Sequence, residues 1–232
     1  MKIALINPNS TAAMTEKARR AAEQFAFLGT EIRASNPPDS PPSIEGHYDE
    51  AACLPGLLAE VRKAEEWGAD GIAVACFDDP GLAACREIAA APVVGMCEAA
   101  MHFASLVASS FSVITTLPRA VPIIEELARK YGKTHLCKKV RAADIPVLAL
   151  EEDAAAAEEK IGAETARAVA EDGCEAVILG CAGMADLTAR LSEKYNIPVI
   201  DGVVCAVKLC EALAGAGLQT SKICAYAYPR KK

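Results

Sequence analysis

The feature that most constrains this chain is its alternation of short apolar runs with amphipathic stretches. Apolar runs of strand character fall at 2–7, 30–35, 70–76, 92–96, 111–116, 145–150, 175–180 and 197–201. Stretches of helical period lie between them at 11–28, 47–66, 80–90, 97–109, 118–131, 152–172, 183–195 and 202–215. Strands alternating with helices define an α/β protein with parallel sheets and right-handed crossovers. Composition agrees: 52% hydrophobic residues with only 5% aromatics suits close helix–sheet packing and excludes a disordered chain. The proline-rich segment Asn36-Pro37-Pro38-Asp39-Ser40-Pro41-Pro42-Ser43 interrupts the pattern. It must be a rigid loop, either a braced turn or the wall of a binding site.

The alternation also repeats. Gly68-Ala69-Asp70-Gly71-Ile72-Ala73-Val74-Ala75-Cys76 matches Gly173-Cys174-Glu175-Ala176-Val177-Ile178-Leu179-Gly180-Cys181, with the two cysteines 105 residues apart. Each copy goes on to a leucine, Leu82 and Leu187, and then to a similar strand, Pro92-Val93-Val94 and Pro198-Val199-Ile200. A repeat of about half the chain predicts two similar lobes related by a pseudo-twofold axis, with Cys76 facing Cys181. We expect the lobes to comprise 1–96 with 205–232, and 97–204.

Ten cysteines invite a disulfide or zinc reading, but no C-x-x-C spacing occurs, and most are expected to be small buried apolar residues. The net charge of −7 and the isolated basic runs Lys138-Lys139 and Arg230-Lys231-Lys232 argue against nucleic-acid binding; both runs read as solvated. No apolar stretch is long enough for a membrane span or signal peptide, so we expect a soluble cytoplasmic protein. The glycine motifs that cradle nucleotide phosphates are missing. His47 follows the proline loop and could line a pocket, whereas His102 and His135 lack any local signature, and His102 is expected to be packed.

Ligands of parallel sheets bind beyond the carboxyl ends of the strands. There the sequence places Asn7-Pro8-Asn9-Ser10, Cys76-Phe77-Asp78-Asp79-Pro80-Gly81, Thr115-Thr116 and Cys181-Ala182-Gly183-Met184. Asp79 and Pro80 suit the cap and first position of a helix, and a helix start after each cysteine is expected to lower its thiol pKa toward neutrality. Two such thiols on opposite faces of one carbon form a two-base site that exchanges a proton next to a carbonyl. The amides after each cysteine and the hydroxyls of Thr115 and Thr116 could hold the resulting enolate oxygen.

These motifs, with Ser43-Ile44-Glu45-Gly46-His47-Tyr48-Asp49-Glu50 and the closing Gly217-Leu218-Gln219-Thr220-Ser221-Lys222, resemble the hydantoin and allantoin racemase group of the Asp/Glu/hydantoin racemase superfamily. The resemblance spans nearly the whole chain. It implies two Rossmann-like, flavodoxin-like lobes with the active site in the cleft between them. It also implies cofactor-independent racemisation of a 5-substituted hydantoin or allantoin, with no metal, by an enzyme that forms homo-oligomers. Cys76 and Cys181 match the catalytic cysteines; Asn9, Ile44, Phe77, Asp78, Thr115, Thr116, Ala182 and Gly183 match positions that contact the cyclic ureide. Ile44, Phe77 and Met101 are candidate walls of the substituent pocket. The alternatives are an aspartate/glutamate-type amino-acid racemase, which should want cations near the thiols, and a non-enzymatic regulatory protein that binds a small molecule, which would not need paired thiols.

Overall fold

The computed structural model describes residues 1–230, whose eight strands form two four-stranded parallel sheets. The first contains β1 (Lys2–Ile6), β2 (Glu31–Ser35), β3 (Gly71–Val74) and β4 (Val93–Gly95) in the order β2-β1-β3-β4. The second contains β5 (Phe111–Thr115), β6 (Cys137–Ala142), β7 (Ala176–Leu179) and β8 (Val199–Asp201) in the order β6-β5-β7-β8. The two orders are the same when β5 is set on β1. The registers agree as well: Ile6 pairs with Val74, and Ile114 pairs with Leu179, the residue 105 positions after Val74.

The helices are α1 (Ala12–Phe25), α2 (His47–Trp67), α3 (Leu82–Ile88), α4 (Met96–Val107), α5 (Val121–Lys130), α6 (Ala149–Glu152), α7 (Ala154–Arg167), α8 (Thr188–Tyr195) and α9 (Gly202–Gly215). The glycine that opens each repeat ends the helix before it: Gly68 after α2 and Gly173 after the π-helical extension of α7 both have positive φ, which glycine adopts without a Cβ penalty. The largest core cluster joins inward faces of both sheets through α4 and α9, with Ile3, Leu5, Phe111, Val113 and Ile178 buried beside Met96, Ala100, Val203 and Ala206. Separate outer cores lie under α2 and α3 on the first sheet and under α7 and α8 on the second. No described helix is long and apolar enough to cross a membrane.

Several sequence expectations need correction. The strand expected at 145–150 is a loop leading into α6, and the strand that pairs with β5 is Cys137–Ala142. Its Lys138 and Lys139 are exposed, as a solvated face requires, and this polarity hides an edge strand from a search for apolar runs. The apolar residues Ile145 and Val147 are buried as loop residues instead. His102 lies on the exposed face of α4 rather than in the core, and Met101 is wholly buried in the main cluster and is not among the residues lining the cavity at the strand ends. Of the basic tail, Arg230 is exposed, while Lys231 and Lys232 lie outside the described residues.

Candidate active site

The carboxyl ends of β1, β3, β5 and β7 meet at one cavity of about 490 Å³, measured to its open mouth. Cys76 and Cys181 both line it, each two residues beyond the last residue of its strand. The turns are built alike: Ala75 N donates to Ile6 O at 2.8 Å, and Gly180 N donates to Ile114 O at 2.8 Å. Gly180 lets the strands approach closely there, since a Cβ would sit 3.1 Å from Ile114 O and 3.3 Å from Thr115 Cα. All ten cysteines are reduced thiols, and Cys76 and Cys181 are among the few that are only part-buried.

Each of the other sequence-predicted contact residues lines the same cavity: Asn9, Ile44, Phe77, Asp78, Thr115, Thr116, Ala182 and Gly183. Thr115 and Thr116 are buried residues that line the cavity. Asn9 is placed by its own loop: its Oδ1 accepts from Asn7 Nδ2 at 2.8 Å and from Thr11 N at 2.9 Å. Its Nδ2 faces only the sulfur of Met14, at 3.6 Å, a weak acceptor that leaves the donor open to a carbonyl. The proline loop is a brace, and none of residues 36–43 is among those lining the cavity. Pro41 O accepts from Ser10 N at 3.0 Å and Pro42 O from Thr11 Oγ1 at 2.6 Å, and the loop then delivers Ile44 to the cavity.

The cavity also draws on Asn7, Met14, Ala120 and Val147. Val147 was not legible as a wall because its segment read as strand. Glu45 on the first lobe's loop accepts from Val147 N at 2.8 Å, bridging residues 102 apart in sequence at the rim. His47 is not part of the site; its side chain is exposed at the start of α2, with Nδ1 3.5 Å from Glu50.

The electrostatics of Cys76 run opposite to the sequence expectation. Burial is the main cause that pushes its thiol well above the usual range, and the Asp78 carboxylate adds to it; the Asp78 backbone N–H pulls the other way without prevailing. The expected helix start is also absent, since α3 begins only at Leu82 with Gly81 as its cap. Asp78 itself is pushed up to about 7, by burial first and then by Glu50 and Asp79. Asp79 does not cap α3. Its carboxylate accepts from Cys97 N at 3.0 Å and Glu98 N at 2.8 Å, capping α4 instead. Among the described residues, no three His, Cys, Asp or Glu side chains cluster to hold a metal.

Two topologically identical parallel lobes that bring one cysteine each to a shared cleft define a pseudosymmetric two-cysteine α/β protein. The Asp/Glu/hydantoin racemase family matches residues 3–210, and the chain belongs to that family. It is 56% identical to a hydantoin racemase of Rhizobium meliloti over 232 residues, covering 100% of this chain and 96% of the relative. It is 44% identical to a hydantoin racemase of Pseudomonas sp. (strain NS671), covering 100% of this chain and 93% of the relative. An allantoin racemase from Klebsiella pneumoniae superposes with a TM-score of 0.98 at 48% identity, covering 100% of this chain and 95% of that structure.

Proposed function

We propose that this enzyme racemises a 5-substituted hydantoin or allantoin by 1,1-proton transfer between Cys76 and Cys181, without an organic cofactor or metal. The observation that carries this reading is that the two repeat-related cysteines line a single cleft whose remaining polar groups are uncharged donors and one carboxyl. The names of the hydantoin and allantoin racemases to which the chain is similar supply the substrate class.

In this scheme a ring carbon next to a carbonyl sits between the sulfurs. One sulfur, as thiolate, takes its proton, and the thiol opposite delivers another to the far face, so the ring need not turn over. Negative charge passes to the ring oxygen during the transfer. The hydroxyls of Thr115 and Thr116 and the amide of Asn9 stabilise it as fixed donors that need no reorganisation. Burial and Asp78 keep the proton on Cys76 in the resting enzyme. With Cys76 as the acid, this scheme assigns Cys181 the role of thiolate base toward an enantiomer whose C–H points at it. The mirror form needs the proton moved to the other sulfur first. An open-chain amino-acid substrate fits less well, because the described cavity lining includes no lysine or arginine to meet its carboxylate.

The test is loss of optical rotation from pure hydantoin and allantoin enantiomers in deuterated buffer. Racemisation should be accompanied by deuterium uptake at the stereogenic carbon. Cys76→Ser and Cys181→Ser should each lower kcat by roughly a hundredfold or more, the contribution of a positioned acid or base. Near wild-type turnover by either variant would refute the two-thiol scheme.

A further inference from the structure

The two lobes are built alike, yet they cap their equivalent helices in different ways. Helix α9 begins after Asp201, whose own carboxylate accepts from Val203 N at 2.7 Å. Helix α4 begins after Gly95, which has no side chain to cap with. The missing cap comes from Asp79, three residues beyond Cys76, whose two carboxylate oxygens accept from Cys97 N at 3.0 Å and Glu98 N at 2.8 Å. Asp79 has φ 45°, in the left-handed region that aspartate and asparagine enter more readily than other non-glycine residues. Gly95 makes room for the contact, since a Cβ there would lie 2.4 Å from the Asp79 carboxyl. A third donor arrives from the other half of the molecule: Tyr131, at the end of α5, gives its hydroxyl proton to Asp79 Oδ2 at 2.7 Å. The residue 105 positions after Asp79 is Met184, which is buried and apolar and cannot accept such bonds; the second cysteine turn is held differently, by Lys17 Nζ of α1 donating to Gly183 O at 3.1 Å.

We infer that Asp79 and Tyr131 are positioning residues that fix the Cys76 turn against α4 and the second lobe, and so set the spacing of the two sulfurs. Neither side chain lines the cavity, and their effect passes through the Cys76 backbone, whose carbonyl accepts from Asp79 N at 3.1 Å. The inference rests on the proton-transfer role proposed for Cys76. A sulfur displaced by a fraction of an ångström from its line of attack loses rate without losing substrate affinity.

The experiment compares Tyr131→Phe, which deletes one hydrogen bond and keeps the ring, with Asp79→Asn, which keeps the shape and turns an acceptor into a donor facing backbone N–H groups. Three quantities are read: kcat and KM in both directions, the melting temperature, and the yield of Cys76–Cys181 cross-linking by a short bifunctional thiol reagent, mapped by peptide mass spectrometry. Tyr131→Phe should lower kcat by about tenfold, with KM held within about twofold. Its cross-linking yield should fall at a melting temperature close to wild type, and Asp79→Asn should show larger losses. Wild-type cross-linking in Tyr131→Phe, or a kcat loss that merely follows a drop in melting temperature, would overturn the inference. Cross-linking is read without substrate, so a failure of the racemase assignment would leave this test intact.

Discussion

At the scale of single residues, burial and the neighbouring Asp78 carboxylate together oppose a thiolate at Cys76. Cys76 and Cys181 stood out in the sequence because each closes a matching strand, and strand ends of parallel sheets are where ligands bind. The ionisation of Cys76 depends on what α2 and the Asp78 turn bring to it, which no spacing in the sequence encodes. Glu50, a helix residue distant in sequence, joins burial in pushing Asp78 up to about 7. Asp78 in turn opposes the thiolate of Cys76. The sign of the resulting pH dependence follows. Well below about 7 the Asp78 carboxyl is neutral, and Asp78→Asn should alkylate at Cys76 at the wild-type rate. Above that pH the wild-type carboxylate holds the thiol protonated, so Asp78→Asn should react faster with iodoacetamide. The gain should be on the order of tenfold for each pH unit by which the thiol titration moves down. Cys76 alkylation followed by peptide mass spectrometry between about pH 5 and 10, a range that spans the Asp78 titration near 7, checks this. Identical profiles would show that Asp78 does not act on the sulfur.

At the scale of elements, most strands and helices followed the apolar rhythm, and the one misplacement has a physical cause. An interior parallel strand is covered on both faces and reads as an apolar run, whereas β6 lies at the sheet edge and reads as Cys137-Lys138-Lys139-Val140-Arg141-Ala142. Its single deeply buried charge, Arg141 at 3% side-chain exposure, is held by Asp172 Oδ2 at 2.7 Å and Glu171 Oε2 at 2.8 Å. Asp172 is almost as buried and also accepts from Ser112 Oγ at 2.8 Å, so the group ties β6 and β5 to the end of α7. Glu171 is about half exposed and adds little. Arg141→Met would preserve bulk while leaving the Asp172 carboxylate buried without its cation. That should cost about 3 kcal/mol of unfolding free energy, as expected when one partner of a buried pair is removed. Urea denaturation measures it, and a loss below about 1 kcal/mol would mean that Ser112 and water carry Asp172 unaided.

At the scale of the whole molecule, the repeat predicted two lobes facing across a pseudo-twofold axis, and the packing shows where the equivalent elements meet. Met96 and Gly202 are the first residues of α4 and α9, the helices that follow the equivalent strands β4 and β8. They touch each other. A Cβ at Gly202 would lie 2.5 Å from Met96 Cγ and 3.0 Å from Met96 O. One copy of the repeat carries a long side chain and the other carries none, because two side chains cannot occupy the same space where the helices converge. The motif comparison could not reveal this asymmetry, since it aligns the copies in sequence without showing that these two positions collide. Gly202→Ala should therefore destabilise the protein by about 1–3 kcal/mol through overpacking. The sulfur end of Met96 can swing aside, but its backbone carbonyl cannot, so the strain should be only partly relieved. Gly215→Ala, at the far end of the same helix, meets nothing within 4 Å and should be neutral or slightly stabilising. Met96→Ala alone should be costly because it leaves a cavity in the main core, yet combined with Gly202→Ala it should cost less than the sum of the two, with a coupling on the order of 1 kcal/mol. Chemical denaturation of the four proteins in that cycle decides the matter. Strict additivity would mean that the helix starts do not press on each other, and the close approach of the two lobes would then have to be maintained elsewhere.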